Sequence, residues 1–271
     1  MGNQLAGLGK LDRSRLALIL KKTAAAITVK QAAQVLSVSE NRARLLLGNW
    51  CRKGWLSRVK HGVYVPVPLQ SSTPDVMVDE PWVLGQFLFN PCYIGGWSAA
   101  AHWDFTEQIF DSTFILTTKK VRVHEQTLKG VRYQVKTIKN ERLFGTKKIW
   151  IDNKPVEISD PSRTIIDILN DPFLAGGGRM MADMFAAYMK SEHKTPSLLI
   201  SYAEKMGSGA IFKRMGFLLE KLFPTETELI QKCRHKIRSG YSQLDPNNPG
   251  KTLITQWGLW VPKGWKDGVP S

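Results

Sequence analysis

Asn41, Arg42 and Arg44 carry the side-chain groups best suited to reading the edge of a base pair. An arginine fork bonds bidentately to guanine O6 and N7, and an asparagine amide does the same to adenine N6 and N7. Such contacts require the side chains to sit near the N-terminal end of a helix that enters the major groove. The surrounding apolar residues predict that helix, running from a cap at Ser39 to about Lys53. Ala43, Leu46, Leu47 and Trp50 fall at i, i+3, i+4 and i+7, a core-facing stripe. Ser39, Asn41, Arg42, Arg44 and Leu45 are then left outward or flanking. Arg52, Lys53, Arg58, Lys60 and His61 follow near the helix end and just beyond it. They suit phosphate or minor-groove contacts, which orient a protein on a duplex without reading sequence. Against this stands a blander reading, that basic residues on a helix are merely solvated.

The elements that must position these residues are legible. Leu16, Ile19 and Leu20 space as one helical face. Thr28 followed by Gln31 makes a capping box for a helix over Val29 to Leu36. Ser37-Val38 is a short turn, Ser39 caps the next helix, and Gly54 stops it. Two β-prone runs, 55–59 and 63–65, are joined by Lys60-His61-Gly62, a hairpin connection. Two helices with a tight turn followed by a small hairpin is the winged helix-turn-helix layout.

Charge strengthens the reading. The chain carries a formal net charge of +15, which suits a polyanionic partner. Residues 1–69 hold twelve Lys or Arg against Asp12 and Glu40, a net +10, and the remaining residues only +5. A merely solubilising charge has no reason to gather in one quarter of the chain. Duplex DNA is therefore the expected partner of residues 1–69. An adaptor whose winged helix binds protein is the competing class.

The stretch from Pro66 to Pro81, with Pro68, Pro74 and the polar Gln70-Ser71-Ser72-Thr73, reads as an extended linker centred on 70–80. Beyond it, residues 81–271 mix elements: a helix over 82–89, strands near 113–118, 131–138, 147–151 and 156–159, then helices. Strands first and helices afterwards suggest an α+β fold. Asp160 with Pro161 is a helix start, and Ser98 reads as a helix cap. Trp257, Trp260 and Trp265, in a loop-rich tail, are the tryptophans expected to meet a partner.

Catalytic signals are weak. Gly95-Gly96-Trp97-Ser98-Ala99 lacks the spacing of a serine nucleophile turn, and Gly176-Gly177-Gly178 is not followed by the Lys-Ser/Thr of a phosphate loop. Asp104, Asp111 and Glu125 with Lys119 and Lys120 would have to converge to make a nuclease-like metal cluster, the runner-up reading. Cys51, Cys92 and Cys233 are odd in number and far apart, and the five histidines are scattered. That argues against a disulfide framework and a zinc site. No cofactor, no metal and no catalytic residue is expected. Without an apolar signal core or a run of ~18 apolar residues, the expected location is the cytoplasm.

Three motifs downstream of the linker resemble those of the AbiEi antitoxin family. They are the run from Tyr93 to Trp103 (YIGGWSAAAHW), the run from Ile158 to Leu169 (ISDPSRTIIDIL) with Asp171-Pro172 and Gly176-Gly177 after it, and Tyr241 to Pro246 (YSQLDP) ahead of Trp257. Their order, behind a winged helix that ends in a Gly-Val-Tyr strand, also resembles the family's. The resemblance implies an antitoxin of a bacterial type IV toxin-antitoxin system, tied to abortive infection and phage defence. It implies repression of its own operon through the N-terminal domain. It further implies that residues 81–271 counteract a nucleotidyltransferase-like toxin, without a stable complex, and that the protein is not an enzyme.

Overall fold

The computed structural model describes residues 7, 9–23, 26–68 and 80–265. Residues 70–79 of the expected 70–80 linker lie outside the described residues. The N-terminal part is a winged helix. It runs α1 (Lys10–Lys22), β1 (Ile27–Thr28), α2 (Val29–Leu36), α3 (Glu40–Arg52), β2 (Leu56–Lys60) and β3 (Val63–Pro66). The Thr28 capping box is closed from both sides: the Gln31 N–H donates to Thr28 Oγ1 at 3.1 Å, and the Thr28 N–H to Gln31 Oε1 at 3.0 Å. Ser37, in the left-handed region at φ 53°, makes the tight turn, and Gly54, at φ 80°, ends α3. Leu16, Ile19, Ala43, Leu46, Leu47 and Trp50 meet in one core with Ile27, Leu56 and Tyr64. Leu20 departs from its expected face and is 38% exposed. One residue is 100° of helix, so Leu20 falls on the flank of the stripe that Ile19 centres.

A third strand completes the wing, since β1 pairs antiparallel with β3, Ile27 opposite Tyr64. Two residues offer no alternation to read, so the sequence gives no warning of it.

The second part is built on a six-stranded mixed sheet, flanked by helices. Its elements are α4 (Pro81–Phe89), β4 (Cys92–Ile94), α5 (Gly96–His102), β5 (Ser112–Thr117), β6 (Glu125–Leu128), β7 (Val131–Thr137), β8 (Thr146–Ile151), β9 (Lys154–Ser159), α6 (Pro161–Asn170), α7 (Gly178–Lys190), α8 (Pro196–Met206), α9 (Gly209–Leu222) and α10 (Thr227–His235). A small C-terminal sheet follows from β10 (Ser242–Gln243), β11 (Thr252–Ile254) and β12 (Leu259–Val261). The large sheet has the order β6-β7-β5-β4-β9-β8. Alternation along β4 and β5 splits its faces. Ile94 and Ile115 join Val83, Leu84 and Leu88 of α4, whereas Tyr93, Phe114 and Leu116 join the later helices. The tight β8–β9 turn places Asp152 and Asn153 both at positive φ, 47° and 60°, where an Asp-Asn pair is tolerated. The chain is α+β, a winged helix followed by a larger mixed domain. Among the described residues, no helix is long and apolar enough to cross a membrane.

Ser98 is not a cap. Gly95 occupies the N-cap of α5, and Ser98 sits within the helix, its hydroxyl accepting the Phe114 N–H at 2.9 Å. Two of the three tail tryptophans are also not free for a partner. Trp257 is fully buried, donating from Nε1 to Glu220 Oε2 at 2.8 Å, and Trp265 is buried too. Trp257 lies flat against α9 because residue 216 is glycine: a Cβ there would stand 2.0 Å from the ring. Gly216→Ala is expected to destabilise the domain by about 1–3 kcal/mol through this clash. Alanine's helix preference offsets it by at most ~1 kcal/mol. The thermal midpoint and the tryptophan emission maximum report it.

Candidate nucleic-acid interface

Because the stripe of α3 is spent on the core, its opposite face is presented to solvent. Asn41, Arg42, Arg44 and Leu45 are exposed, Leu45 by 66% despite its apolar side chain. Ser39 does double duty, since its Oγ accepts the Arg42 N–H at 3.3 Å and so caps the helix that presents the others. Asn41 and Arg44 are one turn apart and already joined, Arg44 Nη1 donating to Asn41 Oδ1 at 3.0 Å. That bond fixes the direction of the guanidinium fork. Arg52, at the far end of α3, is exposed, as are Arg58 and His61 on the hairpin, whose turn is made by Gly62 at φ 73°.

Two of the predicted cations have partners within the protein. Lys53 Nζ lies 3.5 Å from Asp12 Oδ2, tying the end of α3 back to α1. Lys60 Nζ stands 5.7 Å over the Phe89 ring of α4. Partial burial there lowers its pKa, and nearby Lys119 lowers it further. Lys119, on the β5–β6 connection, therefore brings a positive charge of the second domain close to the wing, a proximity the sequence carried no signal for. The wing is also seated on that domain through apolar contact: Ala26, Val63 and Val65 belong to the same buried cluster as Val83, Leu84, Leu88 and Phe89.

Two of the three carboxylates of the runner-up reading are used otherwise. Asp111 and Glu125 both pair with Arg132, the latter at 3.1 Å, so their charge is met by a guanidinium. Among the described residues, no group of three or more His, Cys, Asp or Glu is placed to hold a metal ion.

The three downstream motifs are brought together inside the second domain. Tyr93, from the first, donates its hydroxyl to Asp167 Oδ2 at 2.9 Å and accepts from Arg163 Nη2 at 2.8 Å. Arg163 Nε donates to Asp167 Oδ1 at 3.0 Å, closing a buried triangle between the first and second motifs. Burial raises the Tyr93 phenol well above its usual range, so it stays protonated as a donor. Asp160 caps α6 by accepting the Arg163 N–H at 2.8 Å and also receives the Tyr202 hydroxyl at 2.8 Å. The third motif is held by Arg214, which donates to the carbonyls of Gln243, Leu244, Leu169 and Asn170. With no carboxylate bonded to it, burial pushes Arg214 down to about 10. Asp245 Oδ2 accepts the Gly178 N–H at 2.7 Å, anchoring the tail to the start of α7. Trp97 and Trp103 donate to the carbonyls of Ser112 and Ser159 at 2.9 and 2.8 Å. These contacts fasten sheet, helices and tail into one core.

Residues 14–67, which are this winged helix, match the family model described as "Transcriptional regulator, AbiEi antitoxin". Over those residues the N-terminal domain is similar to the AbiEi antitoxin transcriptional regulators. The AbiEi-type match spans α1 to the end of the wing, the elements that carry the exposed face of α3. No curated protein matches the sequence. The backbone resembles the crystal structure of the RV2827C protein from Mycobacterium tuberculosis, with a TM-score of 0.61 over 96% of this chain and 94% of that one. The two share 12% sequence identity, so the likeness is one of fold.

Proposed function

We propose that the chain is a bacterial antitoxin and autorepressor of a type IV toxin-antitoxin system. The winged helix binds inverted repeats in the chain's own promoter, with Asn41, Arg42 and Arg44 at base edges. Ser39, Arg52, Arg58 and His61, together with Lys53 and Lys60 once freed from their present contacts, serve the phosphates. The domain after the linker counteracts a nucleotidyltransferase-like toxin. What carries the reading is the exposed Asn41-Arg42-Arg44 face on a helix whose other side is committed to the core, in a domain that matches the AbiEi regulator model. The +10 charge of residues 1–69 supports duplex DNA over a protein partner for that face.

The test is the affinity of the full chain for its promoter against a random duplex at about 150 mM salt. The promoter is expected to bind tighter by roughly a thousandfold or more. The logarithm of affinity should fall steeply with that of salt, by about 0.9 per phosphate contact. Equal binding of the two duplexes sinks the operator-reading proposal. Because Ala26, Val63 and Val65 share a core with α4, point variants of α3 separate repression from antitoxicity more cleanly than truncation does.

A further inference from the structure

The C-terminal sheet has one face in the core and one in solvent. Leu259 and Val261 of β12 are fully buried, while Trp260 between them points the other way and is only partly buried. Across the strands, Trp260 sits opposite Leu253 on β11 and Gln243 on β10. Tyr241, two residues before Gln243, is 67% exposed, and its ring centroid lies 6.3 Å from that of Trp260, tilted by 59°. Two large aromatics thus stand side by side on an open sheet face.

Their surroundings are cationic. Between residues 229 and 265 the sequence holds six Lys or Arg and a single carboxylate, Asp245. That carboxylate is buried and spent on the start of α7. Lys232, Arg234 and Lys236 are balanced by Glu228, Glu220 and Glu204. Arg238, three residues before Tyr241 and within 3.5 Å of the Gly207 carbonyl, and Lys251, next to β11, are exposed and have no carboxylate partner among the described residues. Beneath the turn that leads into Tyr241, Lys213 is 2% exposed. Its ammonium donates to the Gly240 carbonyl, and no carboxylate pairs with it among the described residues. Burial lowers its pKa, a cost that a neighbouring anion would relieve.

An open sheet face with adjacent aromatics, rimmed by unbalanced cations, fits a ligand with flat rings and negative charge in alternation. We propose that Tyr241 and Trp260 form a stacking platform for single-stranded nucleic acid, with Arg238 and Lys251 attracting its phosphates. The platform is separate from α3, so it stands whether or not the winged helix reads an operator.

The test uses the full chain and fluorescently labelled oligo(dT) and oligo(U) of roughly 12 nucleotides, followed by anisotropy at about 50 mM salt. At least one strand is expected to bind, and the two arms tell DNA from RNA. Tyr241→Ala is expected to weaken binding about 5- to 100-fold, and Tyr241→Phe to keep it within about twofold, since stacking needs the ring and not the hydroxyl. Lys251→Gln should reduce the salt slope by about 0.7. The Arg42→Ala, Arg44→Ala double variant should bind the strands as the parent does while losing the promoter duplex. The proposal is overturned if neither strand binds at that salt, which leaves the face to a protein partner. It is overturned equally if Tyr241→Ala binds unchanged, or if the α3 double variant abolishes the binding.

Discussion

Replacing Arg163 by methionine should lower the stability of the second domain by about 3–5 kcal/mol at neutral pH, the usual effect of removing one partner of a buried ion pair. For a domain of this size that is a fall of roughly 6–20 °C in thermal midpoint. Arg163 is 0% exposed and bonds to Asp167, to the Tyr93 hydroxyl and, through Nη1, to the Phe144 carbonyl at 2.8 Å. Its guanidinium also lies 4.1 Å from the centroid of the Phe144 ring. Methionine fills part of the volume, so most of the loss is electrostatic. Asp167 would then be a fully buried carboxylate with one donor, Tyr93, and no cation bonded to it. Burial already holds its pKa above the ordinary value of about 3.9, and loss of the Arg163 charge and hydrogen bond drives it higher still. A carboxyl whose folded pKa is raised contributes stability at low pH and loses it as pH rises through the folded value. The gap between parent and variant should therefore be small near pH ~4 and widen toward pH ~7.5, the opposite of ordinary acid destabilisation. Urea midpoints at the two pH values decide it. A variant gap of the same size at both would mean that Arg163 acts by packing alone. The double variant Arg163→Met, Asp167→Leu should recover much of the loss, because no buried charge is left unpaired.

This triangle also marks where the sequence stops being informative. The winged helix was legible because each local signal agrees with the next. Thr28 with Gln31, Ser39 before the apolar stripe, and the glycines at 54 and 62 all encode their geometry within a few residues. The exposed face of α3 follows by subtraction once Ala43, Leu46, Leu47 and Trp50 are assigned to the core. The contacts of Lys53 and Lys60 stay hidden for the opposite reason. Asp12 and Phe89, which hold them, are 41 and 29 residues away along the chain, and only tertiary packing brings them near. The same applies to β4. Three apolar residues have no readable period, yet they become a central strand because β5 and β9 flank them. Tyr93, Arg163 and Asp167 could be quoted as parts of motifs, but spacing alone could not tell a buried clasp from a binding site. Trp257 and Trp265 were assigned to a partner for the same reason, since a loop-rich tail looks exposed until Gly216 and Arg214 are seen to hold it down.

The face of α3 offers the sharper functional test. Arg44→Ala is expected to weaken promoter binding by about 1–3 kcal/mol, and to relax sequence preference at one base-pair position rather than across the site. Arg58→Ala should weaken all duplexes alike and lower the salt slope by about 0.9, as loss of one phosphate contact does. Asn41 complicates the arithmetic in a useful way. Because Arg44 Nη1 donates to Asn41 Oδ1 at 3.0 Å, Asn41→Ala frees the guanidinium from its fixed direction as well as removing an amide. The two substitutions should not add. A double-mutant cycle is expected to show a coupling of about 0.5–3 kcal/mol, as bonded neighbours do. Arg44→Lys tests the same point from another side. Lysine keeps the charge but not the planar fork, so it should keep random-duplex affinity and fail to restore discrimination. If Arg44→Lys discriminates as well as the parent, or if Arg44→Ala loses promoter and random DNA equally, Arg44 is a phosphate contact. The base-reading role then rests with Asn41 and Arg42.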